Sequence, residues 1–467
     1  MSDGRRILFL VNARAQTLSE TFQKFTAPHG YLIPPAYLSK TVTQLVAALP
    51  QRKRWMILVD NGRFDDIQVI RKWSERAARQ LAAGLGKGGI VTATCPERKT
   101  LNPSLAKKAD ALAHQLMLAA KAAPPAIRVA EQLALAPSAV VGVEDITGAL
   151  WHSSGLELSF IRGGHQRIAA MNRRSLAATR SSVRRRQLGD VRDLPVVSTT
   201  DYRSAFAAGK LVADSGVRGF CLPFGAFMAD DRTTNSYVMN GKRVALERFV
   251  PVRVIRSALV AKGLADGWRS VGAKAPEHIH LLGLGQMLIL GLVAQALTGV
   301  NALSCDATSP FKDAMAGSVY TSMPVFRRLR VAGIVWRVLK DNGKPWRCPC
   351  RWCQSQADEQ DWSAANKWFK KRAYDLRSAD DLPLNQSSEL GKILPYFAIQ
   401  PRASVLQARI GHNHFAIQEC VEQLNVARFS RLLLRKRVQS WLDKYPESPS
   451  NSAFVNALTI AQGIVDQ

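Results

Sequence analysis

Short apolar runs, each closed by a polar residue or a glycine and followed by residues of helical spacing, recur along this chain. They are Ile7 to Val11, Trp55 to Val59, Ala139 to Val143, Pro195 to Val197, Phe220 to Leu222, His278 to Leu284 and Ala302 to Cys305. Runs of this length between turn residues predict buried strands. Helical periodicity follows over Thr41 to Leu49, Asp66 to Leu85, Asn102 to Ala122, Asp201 to Asp214 and Met287 to Leu297. Strand then helix, repeated, predicts an α/β fold with a parallel sheet. About eight such units close a (β/α)8, TIM-like barrel with insertions, and some 330 residues suit one. An open doubly wound sheet fits the same alternation, although no Gly-x-Gly-x-x-Gly fingerprint follows the first strand.

Leu281 to Val300 carries no charge over about the length of a membrane span. Gly283 and Gly285 break it, and Gln286 and Gln295 sit inside it, so it reads as a buried strand, a tight turn and a helix. The start, Met1 to Arg6, is polar and the run after it is too short for a signal peptide, which predicts a cytoplasmic protein. The chain is divided into a barrel over residues 1–335 with a basic insertion at about 160–194, a metal-binding subdomain over 336–425 and a helical segment over 426–467.

Charge changes the picture next. With 64 basic against 36 acidic residues, the chain carries a formal charge of +28. Such an excess attracts a polyanion, and nucleic acid is the usual one. The excess is uneven, and Arg162 to Arg192 sets its arginines against only Asp190. Arg173, Arg174, Arg180, Arg184, Arg185 and Arg186 fall within it, and they read as phosphate contacts.

Acidic residues are placed in a more telling way. Asp60, the pair Glu144 and Asp145, and Asp306 all stand at or just past the C-terminal end of a predicted strand. Singly, each reads first as a helix cap or turn residue. In a barrel they share the rim on which active sites are built.

Around Asp306 the chain reads Ser304-Cys305-Asp306-Ala307-Thr308-Ser309-Pro310 and then Gly317-Ser318-Val319-Tyr320-Thr321. This resembles the nucleophile segment of tRNA-guanine transglycosylases, an Asp followed four residues later by Pro and then by a Gly-Thr-Leu-Phe-Thr-like strand. Val59-Asp60-Asn61-Gly62-Arg63-Phe64 is similar to the family's Asp-Ser-Gly-Gly-aromatic segment. Ala139 to Asp145, Gly219 to Gly225 and Leu281-Leu282-Gly283-Leu284-Gly285 resemble three further family strands, all in the family's order.

Cys348-Pro349-Cys350-Arg351-Trp352-Cys353 is a Cys-x-Cys-x-x-Cys triplet, one of the tightest metal-ligand spacings a chain can carry. The same triplet binds structural zinc in this family, together with a distant histidine. The resemblance implies His412 as the fourth ligand, with His414 as the alternative. Three thiolates and one imidazole make a closed, structural site.

The resemblance implies a double displacement at a nucleoside. Asp306 is the nucleophile that takes the sugar carbon, and Asp60 is the general acid and base. Phe64 stacks on the base, Glu144 or Asp145 reads its edge, and Gly225, Leu282 and Gly283 line its pocket. Lys312, with the arginines above, contacts phosphate. The chain departs from the tRNA enzymes at Phe311-Lys312, at Pro223-Phe224 and in its Arg-rich insertion. These departures resemble the DNA-modifying branch, the DpdA-like DNA-guanine transglycosylases. The expectation is therefore an enzyme that exchanges guanine in DNA for a free 7-deazaguanine base, such as 7-cyano-7-deazaguanine, with helper proteins of a modification system. A divergent tRNA enzyme and a catalytically silent nucleic-acid-binding subunit are the alternatives.

Overall fold

The structure is a computed structural model, and it describes residues 6–34, 38–49, 56–62, 125–142, 164–224, 234–239, 242–321, 328–340, 344–428, 430–444 and 449–467. Eight parallel strands form its centre: β1 (Arg6–Asn12), β2 (Gly30–Ile33), β3 (Met56–Val59), β4 (Ala139–Val141), β5 (Arg192–Leu194), β6 (Gly219–Pro223), β7 (His278–Leu282) and β8 (Ala302–Asp306). They pair in chain order from β1 to β5 and from β6 to β8, and β8 pairs back onto β1 with Asp306 opposite Leu10. Just past the end of β5, Val196 bridges in parallel to Cys221 of β6 and brings the two edges together. The result is a barrel-like sheet with every strand running the same way.

Alternation along the strands divides the core in two. Leu10, Leu32, Leu58, Val141, Val196 and Cys221 face inward and form one apolar cluster. Phe9, Ile57, Phe220, Ile279 and Leu303 face outward, into a larger core shared with the surrounding helices. That outer core runs on without a break to Trp352, Leu390, Ile417 and Trp441, so the C-terminal elements are packed on the barrel. Helix Ala403–Ala427 is pinned to β1, because the Asn425 amide accepts from Ile7 N–H and donates to its carbonyl, each across 2.8 Å.

Leu281 to Val300 is the strand, turn and buried helix its glycines suggest. β7 ends at Leu282, Gly283 turns with φ 76°, and helix Met287–Ala296 is buried along its whole length. Among the described residues no helix is long and apolar enough to cross a membrane.

Two strands differ from expectation. β2 is only four residues long, and all four are buried. A segment so short, closed by Pro34, shows no period for a pattern to reveal. β5 begins at Arg192 and Asp193, three residues before the predicted run. Charges are tolerated there because Arg184 Nη2 donates to Asp193 Oδ1 at 2.9 Å, and Nε pairs with the other oxygen. Pro195 still joins the sheet, its carbonyl accepting from Cys221 N–H at 2.9 Å. The predicted helices at 66–85 and 102–122 lie outside the described residues.

Candidate active site and metal centre

Because all eight strands are parallel, their C-terminal ends meet at one end of the barrel, and both Asp60 and Asp306 are there. Period-two alternation also puts both on the inner face. Asp60 continues the series Met56, Leu58, and Asp306 continues Ala302, Ser304. Going round the wall, β3, β2, β1 and β8 are successive neighbours, so the two carboxylates stand three strand spacings apart, roughly 14 Å along the wall.

The local geometry at each carboxylate is built by its neighbours. Gln132 Nε2 donates to the Asp60 carbonyl at 3.0 Å and to the Val141 carbonyl at 3.0 Å, tying the end of β3 to that of β4. Asn61 Nδ2 donates to the Gly142 carbonyl at 2.8 Å and closes the same seam. Asp60 Oδ1 accepts from Asn61 N–H at 2.8 Å, and the side chain is half-buried. Asp306 is buried, 5% exposed, and its Oδ1 accepts from Gly283 N–H at 2.9 Å. Gly283 is left-handed in that turn, a conformation glycine takes without strain. Gly283, read as part of a base pocket, thus spends its N–H on the carboxylate, while Leu282 packs against the inner apolar cluster.

Four polar residues on the inner face do not stand out from the sequence. His280 Nε2 faces Asp306 Oδ1 at 3.4 Å. Ser304 Oγ lies 2.8 Å from His280 Nδ1 and 2.7 Å from His278 Nε2. All three are buried. Burial, with His280 and Arg192 beside it, holds the His278 imidazole well below the ordinary histidine range, so it is neutral. Asn12 is the other: it ends the inner series Leu8, Leu10, is 5% exposed, and its Nδ2 has no partner among the described residues. Histidine and asparagine at every second position of an apolar strand were the available clue.

The cysteine triplet and His412 converge. Their ligand atoms lie within 4.8 Å of one another and all four residues are buried, a cluster that could hold a metal ion. The three sulfurs stand 3.5, 3.3 and 3.4 Å from His412 Nδ1. Tetrahedral Zn–S and Zn–N bonds span an S···N edge of about 3.5 Å, so the spacing fits. His412 Nε2 donates to the Tyr320 carbonyl at 2.7 Å, which leaves Nδ1 as a lone pair facing the thiols. His414 is not a ligand. Its Nδ1 donates to the Ile410 carbonyl at 2.7 Å, and its ring packs against Phe9 and Phe22.

The cysteine and histidine cluster also adjoins the segment that follows Asp306. Beside His412, Asn413 accepts from Tyr320 N–H at 2.9 Å and donates to the carbonyls of Pro310 and Ser318, both at 3.1 Å. The segment that follows Asp306 is thus fixed at both its turn and its strand.

The arginines separate into different roles. Helices Gly164–Thr179 and Ser182–Leu188 lead into β5, so their far end lies at the barrel end opposite the carboxylates. Arg180 and Arg185 line a cavity of about 480 Å³ there, with Arg192, Arg218, Glu277 and His278. Arg173, Arg174, Arg180, Arg185 and Arg186 are exposed, but Arg184 is 8% exposed and committed to Asp193. It is an internal salt bridge, where the sequence suggested a phosphate contact. Lys312 is exposed one turn beyond Asp306, and the Arg14 guanidinium lies 4.3 Å over the Phe311 ring beside it. Phe64, Glu144, Asp145 and Gly225 lie outside the described residues.

No protein-family model matches the chain, and no curated protein matches it.

Proposed function

We propose that this chain is a base-exchanging transglycosylase that acts on DNA, with a structural zinc ion. The observation that carries the reading is the pair of aspartates, Asp60 and Asp306, on the inner face of one rim of a parallel barrel. Two carboxylates on one inner rim match the equipment for breaking and remaking a glycosidic bond. The Cys348, Cys350, Cys353 and His412 cluster supports it further, since the resemblance in sequence names the same four residues.

In this reading the free Oδ2 of Asp306 attacks C1′ of the sugar. The C1′–O bond forms as the C1′–N9 bond breaks, and Asp60 gives a proton to the departing guanine. Asp60 then takes the proton from an incoming 7-deazaguanine, whose nitrogen attacks C1′ and releases Asp306 as a carboxylate. Zinc takes no part in these steps. When bound, it would fix His412 and Asn413, and through them the segment after Asp306.

The rim supplies Lys312 and Arg14 as phosphate contacts close to the chemistry, and the net charge of +28 supplies long-range attraction. DNA is preferred over tRNA on the departures at Phe311-Lys312 and Pro223-Phe224. Incubating the chain with isotope-labelled 7-cyano-7-deazaguanine and either duplex DNA or tRNA, followed by mass spectrometry of the nucleosides, tests it. Label in deoxynucleosides alone is the expected result. Label in tRNA alone moves the reading to the tRNA enzymes, and label in neither, with the metal bound, contradicts it.

A further inference from the structure

Asp306 is the end of a polar line that runs through the barrel interior. From the far end it reads His278, Ser304, His280, Asp306, with contacts of 2.7, 2.8 and 3.4 Å between successive side chains. Such a line is costly inside an apolar core unless its hydrogens are arranged to satisfy it.

Only one arrangement does so. Ser304 has one hydroxyl hydrogen and touches two imidazoles, so it donates to one and accepts from the other. If it donated to His278 Nε2, the hydrogen of His278 would sit on Nδ1, which has no partner among the described residues. His280 would then carry its hydrogen on Nδ1, toward Ser304, and would present a bare lone pair to the Asp306 carboxylate. Both ends of the line oppose this, because an orphaned buried N–H is among the rarest of faults and a lone pair repels an anion. Reversed, every hydrogen finds an acceptor, and only the bare lone pair of His278 Nδ1 is left without a partner among the described residues. His278 Nε2–H donates to Ser304 Oγ, the hydroxyl donates to His280 Nδ1, and His280 Nε2–H points at Asp306 Oδ1. The neutral state of His278 is the one this requires.

We propose that His280 is a positioning residue for Asp306: with Gly283 N–H it secures Oδ1, so that Oδ2 is the oxygen presented to the substrate, and Ser304 and His278 lock its tautomer. This rests on the reading of Asp306 as the nucleophile. The 3.4 Å separation is out of line for a hydrogen bond, and Nε2 has no partner by that measure. A small rotation of the carboxylate about its Gly283 bond closes it, as contacts in substrate-free sites close on binding. When the sugar is attached, the two donors hold the carbonyl oxygen of the ester. As the incoming base displaces Asp306, they receive the returning negative charge.

Two measurements on the full, metal-loaded chain test this. Long-range proton–nitrogen NMR spectra of histidine-labelled protein, assigned with His278→Leu and His280→Leu, should show the ring hydrogen of each at Nε2. A His280 protonated at Nδ1 overturns the proposal whatever the activity. In base exchange, His280→Leu should lower kcat by about 10- to 100-fold with KM for DNA within about twofold, and His280→Gln, which restores an N–H near Nε2, should recover much of the loss. An unchanged kcat, or a loss confined to KM, also overturns it. Should the wild-type chain form no sugar adduct at all while the spectra show the expected tautomers, the transglycosylase reading fails and the proton arrangement stands.

Discussion

Gly283 N–H donates to Asp306 Oδ1 across 2.9 Å, joining the turn after one strand to the carboxylate that ends the next. A single backbone bond thereby sets which oxygen of the buried carboxylate is committed and which is open. The rest of the rim follows the same design, with backbone ends stitched together by Gln132 and Asn61 and carboxylates projecting inward.

Replacing Arg184 should test stability, not binding. Arg184→Ala leaves Asp193 as a largely buried, unpaired carboxylate and is expected to lower unfolding free energy by about 2–4 kcal/mol in urea titration. Arg185→Ala and Arg186→Ala, both exposed, should stay within about 0.5 kcal/mol. Equal effects for all three would contradict the division drawn between them.

This triplet also marks the limit of what a sequence can reveal. Three adjacent arginines read alike, yet helical geometry turns Arg184 inward and its neighbours outward. Charge patterns identify a basic segment but not the end of the barrel it occupies. The barrel itself was legible, because strand and helix periods differ, and β2 was missed because four residues carry no period. Cys348, Cys350 and Cys353 were legible as chemistry, since thiols at such spacing have few other uses, whereas His412 came only from the resemblance, with His414 beside it. His280, Ser304 and Asn12 were not, because a polar residue inside a strand declares its importance only when its neighbours across the sheet are known.

Gly411 should resist the substitution that usually helps a helix. Alanine in place of a mid-helix glycine ordinarily stabilises by about 1 kcal/mol. Here a Cβ would sit 2.1 Å from the Trp352 ring, which is held by its N–H bond of 2.9 Å to Thr26 Oγ1. Gly411→Ala is therefore expected to destabilise by about 1–3 kcal/mol and to loosen metal retention, measured by thermal melting and metal content. A stabilised variant would show that Trp352 is free to move.

Metal removal should unfold more than the metal site. Prolonged chelation, Cys350→Ala or His412→Ala should each lower stability by several kcal/mol, on the order of 5, with loss of one metal equivalent per chain. Release should grow easier as pH falls, because the thiolates must stay deprotonated to bind. Hydrogen exchange should rise in Ser318–Tyr320, the strand His412 and Asn413 hold. A metal-free chain that melts unchanged would contradict this.

Acid should act through His278. Its folded value lies well below the ordinary 6.5, so in the window between them the unfolded chain binds the extra proton. Stability from this group is complete above about pH 6.5 and falls as pH drops, by up to about 1.4 kcal/mol per pH unit. Urea titrations from pH 7.5 to 5.5 should show a shallower decline in His278→Gln than in wild type. Parallel curves would exclude the contribution.

The most direct test of the account is to trap the covalent sugar adduct. Wild-type chain incubated with DNA and quenched in denaturant should yield a protein–DNA species that Asp306→Ala abolishes, and Asp60→Ala, lacking the proton donor, should form it far more slowly. An adduct that survives Asp306→Ala, or whose linkage maps to another residue, would contradict the pairing of these two carboxylates.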